Sequence, residues 1–515
     1  MKSKNFLRGA LILSFGGVVC KVLGAIYRVP LANILGEVGM GVYQLVYPIY
    51  AFAIVFVNGG ITSSLSYLVA KNKDKLDYAS LKKFFWASLI LSTAYSIVVG
   101  LGLVVFSSRI ANLLGNFSAG KGLLFSGISI LFCGIISSVR GWFQGFENMT
   151  PTAISQVVEQ LFKVGIGIWL AVILLKYGVE WAVAGAFLGV LAGEIVASLY
   201  LVIYSLFKSG KENVGEQRLG FKSAFRQVGS GWIGFGLTGL IVPFTTMLES
   251  FMVVNLLKNS GIDQDMATAL FGIQSGMIGS LINFPMIFAI ALSSAIIPSI
   301  GYLLSSDRNE ATNKINLTLK LVVCLTLPCV VGMMVISPNI ISLFYPTLKA
   351  DMASVAVILL LVSAINILYL GLLQITSAIL QAMGKIWLVV LSSLLGSLLK
   401  IGIILLLVPN QNINILGAVI AGIVGYFVPC VINLFIIRKY VHVGIGVKNT
   451  FVVLGASLIM AVLVLSLKAA LSNIAGNLVV TIMCVLTAVI SYFVILYLLG
   501  VVTKKDIKTM FKNRV

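Results

Sequence analysis

Fourteen largely apolar windows, each of about twenty residues or more, follow one another along this 515-residue chain. They lie near 8–34, 42–70, 84–107, 122–146, 152–175, 181–207, 227–256, 266–303, 313–336, 352–382, 387–408, 414–437, 449–471 and 477–501. A helix of about 20 residues crosses the roughly 30 Å hydrocarbon core of a bilayer. In lipid the backbone must satisfy its own hydrogen bonds, which leaves helices or closed barrels. The windows are twice the length of barrel strands. The chain is 59% hydrophobic and 10% charged, whereas soluble globular domains carry about 25% charged residues. The sequence therefore predicts an all-α polytopic membrane protein of about fourteen spans.

The net charge of +20 invites a nucleic-acid reading, but its distribution gives a topology instead. The N-terminus, 71–83, 208–226, 308–320, Lys385, 438–448 and the C-terminal tail hold 25 of the 36 Lys and Arg. The opposite loops hold Arg109, Lys121, Lys176, Lys258, Lys349 and Lys468. Basic loops stay inside, so both termini are expected in the cytoplasm, their charges facing lipid headgroups and no nucleic acid. The N-terminus (Lys2, Lys4, Arg8, then an apolar run) lacks a small-residue cleavage site and reads as a retained span.

Eight charged residues lie deep inside the windows: Lys21, Arg28, Arg140, Glu159, Lys163, Glu194, Glu249 and Lys400. Each costs at least about 2.5–3.5 kcal/mol at bilayer depth, so it belongs in a bundle interior or a wet cavity. Five are basic, which suits an anionic cargo. Lys21 and Arg28 are two turns apart on one helix face; Pro30 is expected to bend the chain just beyond. Glu159 and Lys163 have the favourable order for an intrahelical pair, and Arg140 lies at a similar depth to Glu159, so the three form either a structural network or a substrate site. Glu194 either pairs with Lys21 or takes a coupling proton; Glu249 either serves the second half or pairs with Lys400. Asn58, Asn283, Pro285 and Pro298 mark expected helix irregularities. Cys20, Cys133, Cys324, Cys329, Cys430 and Cys484 lack metal spacing and read as reduced hydrophobes. His442 falls in a loop. There is no phosphate-binding loop, metal cluster or nucleophile–base constellation, so no enzyme and no cofactor is expected.

Two segments match at a spacing of six spans: QGFENMTPTAISQVVEQLFKVGI from Gln144 and QAMGKIWLVVLSSLLGSLLKIGI from Gln381. They make Lys163 and Lys400 equivalent, and Gly185-Ala186 and Gly417-Ala418 continue the likeness. An even repeat keeps its orientation in the membrane, giving a parallel pseudo-repeat. The expected organisation is an N-terminal lobe (1–207), a cytoplasmic link (208–226), a C-terminal lobe (227–440), and spans thirteen and fourteen with a tail (441–515). Two six-helix lobes would then face a central cavity.

KVLGAIYRVPLANILGEVGMGVYQLVYPIY (21–50) resembles the start of the polysaccharide-biosynthesis and stage V sporulation protein B branch of the multidrug/oligosaccharidyl-lipid/polysaccharide exporter superfamily. The segment around Gln144, Gly145, Pro151, Glu159, Gln160 and Lys163 resembles its fifth span, and NFPMIFAIALSSAIIPSI (283–300) its eighth. The resemblance implies a flippase for undecaprenyl-diphosphate-linked sugars, lipid II among them, in a bacterial cell membrane. It implies that Lys21 and Arg28 meet the diphosphate and that the last two spans accommodate the lipid tail. Lipid II flippases also carry Arg on spans two and eight, where this chain has Ala53-Ile54-Val55 and Ser280-Leu281-Ile282. That difference favours the sporulation-protein branch.

The expected function is export of a lipid-linked anionic glycan by alternating access. Its substrate-binding residues are Lys21, Arg28, Lys163 and Lys400; Arg140, Glu159, Glu194 and Glu249 are structural or coupling charges. Coupling to membrane potential, H+ or Na+ stays open. The partners are membrane lipids and, as candidates, cell-wall synthases. The alternatives are a cation-coupled multidrug exporter and a non-transporting scaffold for cell-wall or spore-coat assembly. The loop bias predicts that a single cysteine placed within 71–83, in a cysteine-free background, is labelled only from the cytoplasmic side. Labelling from outside would invert the orientation.

Overall fold

A computed structural model describes residues 2–207, 215–441, 447–472, 474 and 476–500. His442 and the C-terminal tail lie outside these. The helices in chain order are α1 (Lys2–Asn72), α2 (Tyr78–Val105), α3 (Ser107–Leu113), α4 (Ala119–Gly145), α5 (Thr150–Leu174), α6 (Val179–Phe207), α7 (Phe221–Gly239), α8 (Ile241–Asn259) and α9 (Gln264–Phe271). A π-helical turn, Gly272–Ile278, leads to α10 (Gly279–Ser306). Then come α11 (Arg308–Val335), α12 (Ser337–Phe344), α13 (Ala350–Ser363), α14 (Asn366–Ala382), α15 (Ile386–Leu407), α16 (Leu416–Tyr440), α17 (Val447–Leu471) and α18 (Asn477–Leu498). Among the described residues there is no strand, only one isolated bridge, Leu76 to Gln217.

Twelve helices are long and apolar enough to cross a membrane, or thirteen with the bent pair α13–α14 taken as one span. That count takes α1 once, although its 71 residues would run about 107 Å as a straight helix. It breaks at Gly36, whose φ of 68° is open to glycine at little cost. Both ends of α1 reach the same turn: a Cβ on Gly9 would lie 3.3 Å from the Glu147 carbonyl, and the Lys73 ammonium sits 2.7 Å from the Glu147 carboxylate. So α1 is a hairpin of two spans. The reversal falls at Gly36, beyond the bend expected at Pro30, which stays within the helix. In span eight the irregularity is the π turn, upstream of Asn283 and Pro285.

The chain forms two compact units, Met1–Met277 with Val408–Asn412, and Ile278–Leu407 with Ile413–Val515. The first therefore runs past the charged link at 208–226. The reason is close packing by small residues on α1. Ala224 and Val228 of α7 are buried with Ile61, Leu65, Leu81 and Phe84, and Ser64 donates to the Val228 carbonyl at 3.1 Å. A Cβ on Gly60 would lie 2.8 Å from the Trp232 carbonyl. In the second unit, Ile300, Ile315, Leu319, Ile375, Ile379 and Ile437 join α10, α11, α14 and α16. Here α18 docks on α11 through the Tyr492 hydroxyl, which donates to the Cys324 carbonyl at 2.6 Å.

Local structure recurs six spans on. Both α2 and α11 have 28 residues and an aspartate cap: Asp77 accepts from the Ser80 N–H, and Asp307 from those of Asn309 and Glu310. A short helix follows each, α3 and α12, opened by Ser107 and Ser337, which donate to the Val104 and Met334 carbonyls. The turn after α4 has Glu147 at φ 62°, and the turn after α14 has Gly384 at φ 72°. Their N–H groups donate to Gln144 and Gln381 respectively, each at 2.9 Å. Thus the two matched glutamines open turns of one kind, and the lysine helices α5 and α15 follow.

Each lysine helix then meets the next helix at glycine. A Cβ on Gly193 of α6 would lie 2.5 Å from the Glu159 carbonyl of α5, and one on Gly425 of α16 would lie 3.1 Å from the Lys400 Cβ of α15. Gly189 lies directly against the backbone of Gly167. We expect Gly189→Ala to cost about 1–3 kcal/mol by overpacking, read as a lower melting temperature in detergent. Gly165→Ala, where nothing lies within 4 Å, is the control and should be neutral.

Candidate anion-binding site

The first arm of α1 presents Gly17, Lys21, Gly24 and Arg28 at helical spacing, so the four share a face. A Cβ at Gly17 or Gly24 would have nothing within 4 Å, which makes this face open. Beside this face the helix is packed, with Gly16 against Ala153 of α5 and Tyr27 buried, and beyond Arg28 the openness ends where Leu31 and Ala32 are buried. Lys21 is exposed on the open face, and among the described residues it has neither a hydrogen bond nor an ion pair. The sequence alternative pairing it with Glu194 is therefore not realised.

Arg28 and Lys163 come together around one ring. The Arg28 guanidinium carbon lies 5.4 Å from the centroid of Tyr47, on the second arm of α1. The Lys163 ammonium lies 5.5 Å from the same centroid and 5.9 Å from that of Tyr27. These distances are in the range of cation–π attraction. Tyr47 is stacked on Tyr43 at 5.7 Å, and Tyr43 on Phe187 of α6 at 5.2 Å. Hydropathy reading missed Tyr47. The signal was present in Tyr43, Tyr47 and Tyr50, spaced to share a face opposite a basic helix.

The acidic residues are engaged elsewhere. Glu159 pairs with Arg140, not with Lys163: the guanidinium Nη2 lies 2.9 Å from Glu159 Oε2, and Nε donates to Ser155 at 2.9 Å. Arg140 is fixed between α4 and α5 by two partners, whereas the Lys163 chain turns toward the tyrosines. Glu194, 1% exposed on α6, accepts from the Tyr50 hydroxyl at 2.9 Å. The Cys133 thiol is 3.8 Å away, and the second carboxylate oxygen has no hydrogen-bond partner. Glu249 is buried on α8 in the first unit, and Lys400 on α15 in the second. Among the described residues no group of histidine, cysteine and carboxylate side chains could hold a metal.

Residues 6–304 match the model of the polysaccharide biosynthesis protein family, and 250–408 match that of the MatE family. Stage V sporulation protein B of Bacillus subtilis is 27% identical over 461 residues, covering 87% of this chain and 86% of that protein. Lipid II flippase MurJ of the same organism is 26% identical over 488 residues, covering 90% and 88%. A solved structure of lipid II flippase MurJ in an inward closed conformation matches with a TM-score of 0.74 at 17% identity, covering 94% of this chain and 98% of that one. Of these relatives MurJ is a flippase, and the fold of this chain is the fold of that structure. This chain is a multi-pass membrane protein, and it belongs to the polysaccharide biosynthesis protein family.

Proposed function

We propose that the protein moves a lipid-linked, diphosphate-bearing oligosaccharide or peptidoglycan precursor from the cytoplasmic to the outer leaflet by alternating access. One observation carries this reading. Arg28 and Lys163 gather at Tyr47 without a carboxylate partner among the described residues, while the nearby Glu159 is consumed by Arg140. A pair of uncompensated cations at bilayer depth is costly unless an anion visits. Lys21, on the open face with Arg28, extends the basic surface, and Lys400 is the counterpart of Lys163 in the second half. The polyprenyl tail stays in lipid, against the membrane-facing helices.

In this reading transport runs by alternating access, with both termini in the cytoplasm. An inside-negative potential favours outward passage of anions by about 2.3 kcal/mol per charge per 100 mV. Glu194, buried with a free carboxylate oxygen, is the candidate for a coupling proton. A multidrug exporter for cationic drugs would need acidic groups at the open face, and there the charged side chains are Lys21 and Arg28. A scaffold role would leave transport indifferent to them.

The test is translocation of a fluorescent polyprenyl-diphosphate-linked sugar in vesicles. Arg28→Gln and Lys163→Gln should each lower transport at least about tenfold, and Lys21→Arg should retain more activity than Lys21→Gln. Full transport by a folded Lys21→Gln, Arg28→Gln double variant would sink the anionic-substrate reading. The Arg140–Glu159 pair should behave differently. Glu159→Gln leaves a buried guanidinium uncompensated and should cost about 3–5 kcal/mol of stability. Changing Arg140 and Glu159 together should cost less than that, a difference read in detergent melting curves.

A further inference from the structure

The two cations that meet at Tyr47 belong to different helices. Arg28 stands on the first arm of α1, Lys163 on α5, and the ring between them on the second arm of α1. Like charges held at one place repel, and this pair has no carboxylate to offset the repulsion. What meets both is a tyrosine, whose ring attracts cations without neutralising them and whose hydroxyl also hydrogen-bonds Arg28. The ring is not placed by the cations. It stacks on Tyr43, itself 1% exposed and stacked on the fully buried Phe187. The column is anchored in the core between α1 and α6.

A carboxylate at position 47 would form ion pairs, remove the net charge, and have to be displaced by every incoming anion. A leucine would leave the cations with nothing to converge on. An aromatic face is intermediate. It attracts strongly enough to gather two charged side chains and weakly enough to release them. Resting on the anion-transport reading above, we propose that Tyr47 is a stand-in counter-group. It holds Arg28 and Lys163 poised together in the unliganded protein and yields them to a ligand with two phosphoryl groups. It is a positioning residue that sets selectivity for diphosphate over monophosphate lipids, because a diphosphate can take both cations and a monophosphate takes one.

The experiment uses the full chain in vesicles. Transport of a labelled undecaprenyl-diphosphate-linked sugar is measured in competition with unlabelled undecaprenyl diphosphate or undecaprenyl monophosphate. Tyr47→Phe keeps the ring but removes the hydroxyl that Arg28 hydrogen-bonds, and should affect KM and the diphosphate-to-monophosphate preference less than Tyr47→Leu. Tyr47→Leu should raise KM about tenfold, equivalent to about 1.4 kcal/mol, and shrink that preference, with kcat little changed. Tyr47→Glu should abolish transport while the protein stays folded. A Tyr47→Leu variant with parental KM and preference overturns the proposal. So does one that loses kcat and melting temperature while the preference is unchanged, since that marks a packing role. Arg28→Gln and Lys163→Gln run alongside. If they leave transport intact, the anion reading itself fails; if they abolish it while Tyr47→Leu is silent, only the role of Tyr47 fails.

Discussion

In lipid there is no water to squeeze out from between two apolar helices, so their association rests on how closely the backbones approach. This protein makes that approach repeatedly with glycine. Gly100 and Gly127 each face the other's carbonyl across the α2–α4 crossing, and Gly134 meets the backbone of Ser92 and Thr93. Gly185 and Gly193 set α6 on the backbone of α5, and Gly396 faces the Gly425 carbonyl between α15 and α16. The charged residues are set on this framework. Arg140 meets Glu159 because α4 and α5 are held in register, and Glu194 meets Tyr50 because α1, α4 and α6 share one interior.

On that framework the charges divide by how they are satisfied. Arg140 and Glu159 are tied by short directional bonds in a mostly buried place and behave as structure. Arg28 and Lys163 lie at the Tyr47 ring with no carboxylate, and Arg28 also hydrogen-bonds its hydroxyl. On the proposed transport reading, cations that exchange partners during a cycle have to be stabilised without being neutralised, and an aromatic group does that where an ion pair would not.

The spans were legible because a run of about 20 apolar residues has no other use. The repeat was legible because Gln144 with Lys163 and Gln381 with Lys400 keep one spacing, and their turns share one hydrogen-bond pattern. Other features were hidden. Gly36 is one of 50 glycines, and hydropathy cannot say which of them reverses the chain. The extent of the first unit depends on Gly60, Ser64 and Gly231 fitting α7 against α1, a matter of shape rather than polarity. Of the expected Arg140–Glu159–Lys163 network the Arg140–Glu159 pair forms; that Lys163 leaves it was not legible because the i to i+4 rule sees only one helix, while the tyrosines that draw the lysine away stand on another. Tyr47 was overlooked because a tyrosine in an apolar span reads as filler until the cations from two other segments are seen around it.

The glycine seam between α5 and α6 has a consequence for Lys163. Gly189 lies against the backbone at Gly167 with the Lys163 carbonyl close by, and Gly193 lies against Glu159, so the stretch of α5 that carries the lysine cannot slide or roll past its neighbour without a clash. The ammonium is a charge on a tether whose anchor is fixed. Its excursion is the sweep of a four-carbon stem, and that stem length, rather than any motion of the helix, limits how far this cation could follow the anion of the proposed transport cycle before letting go.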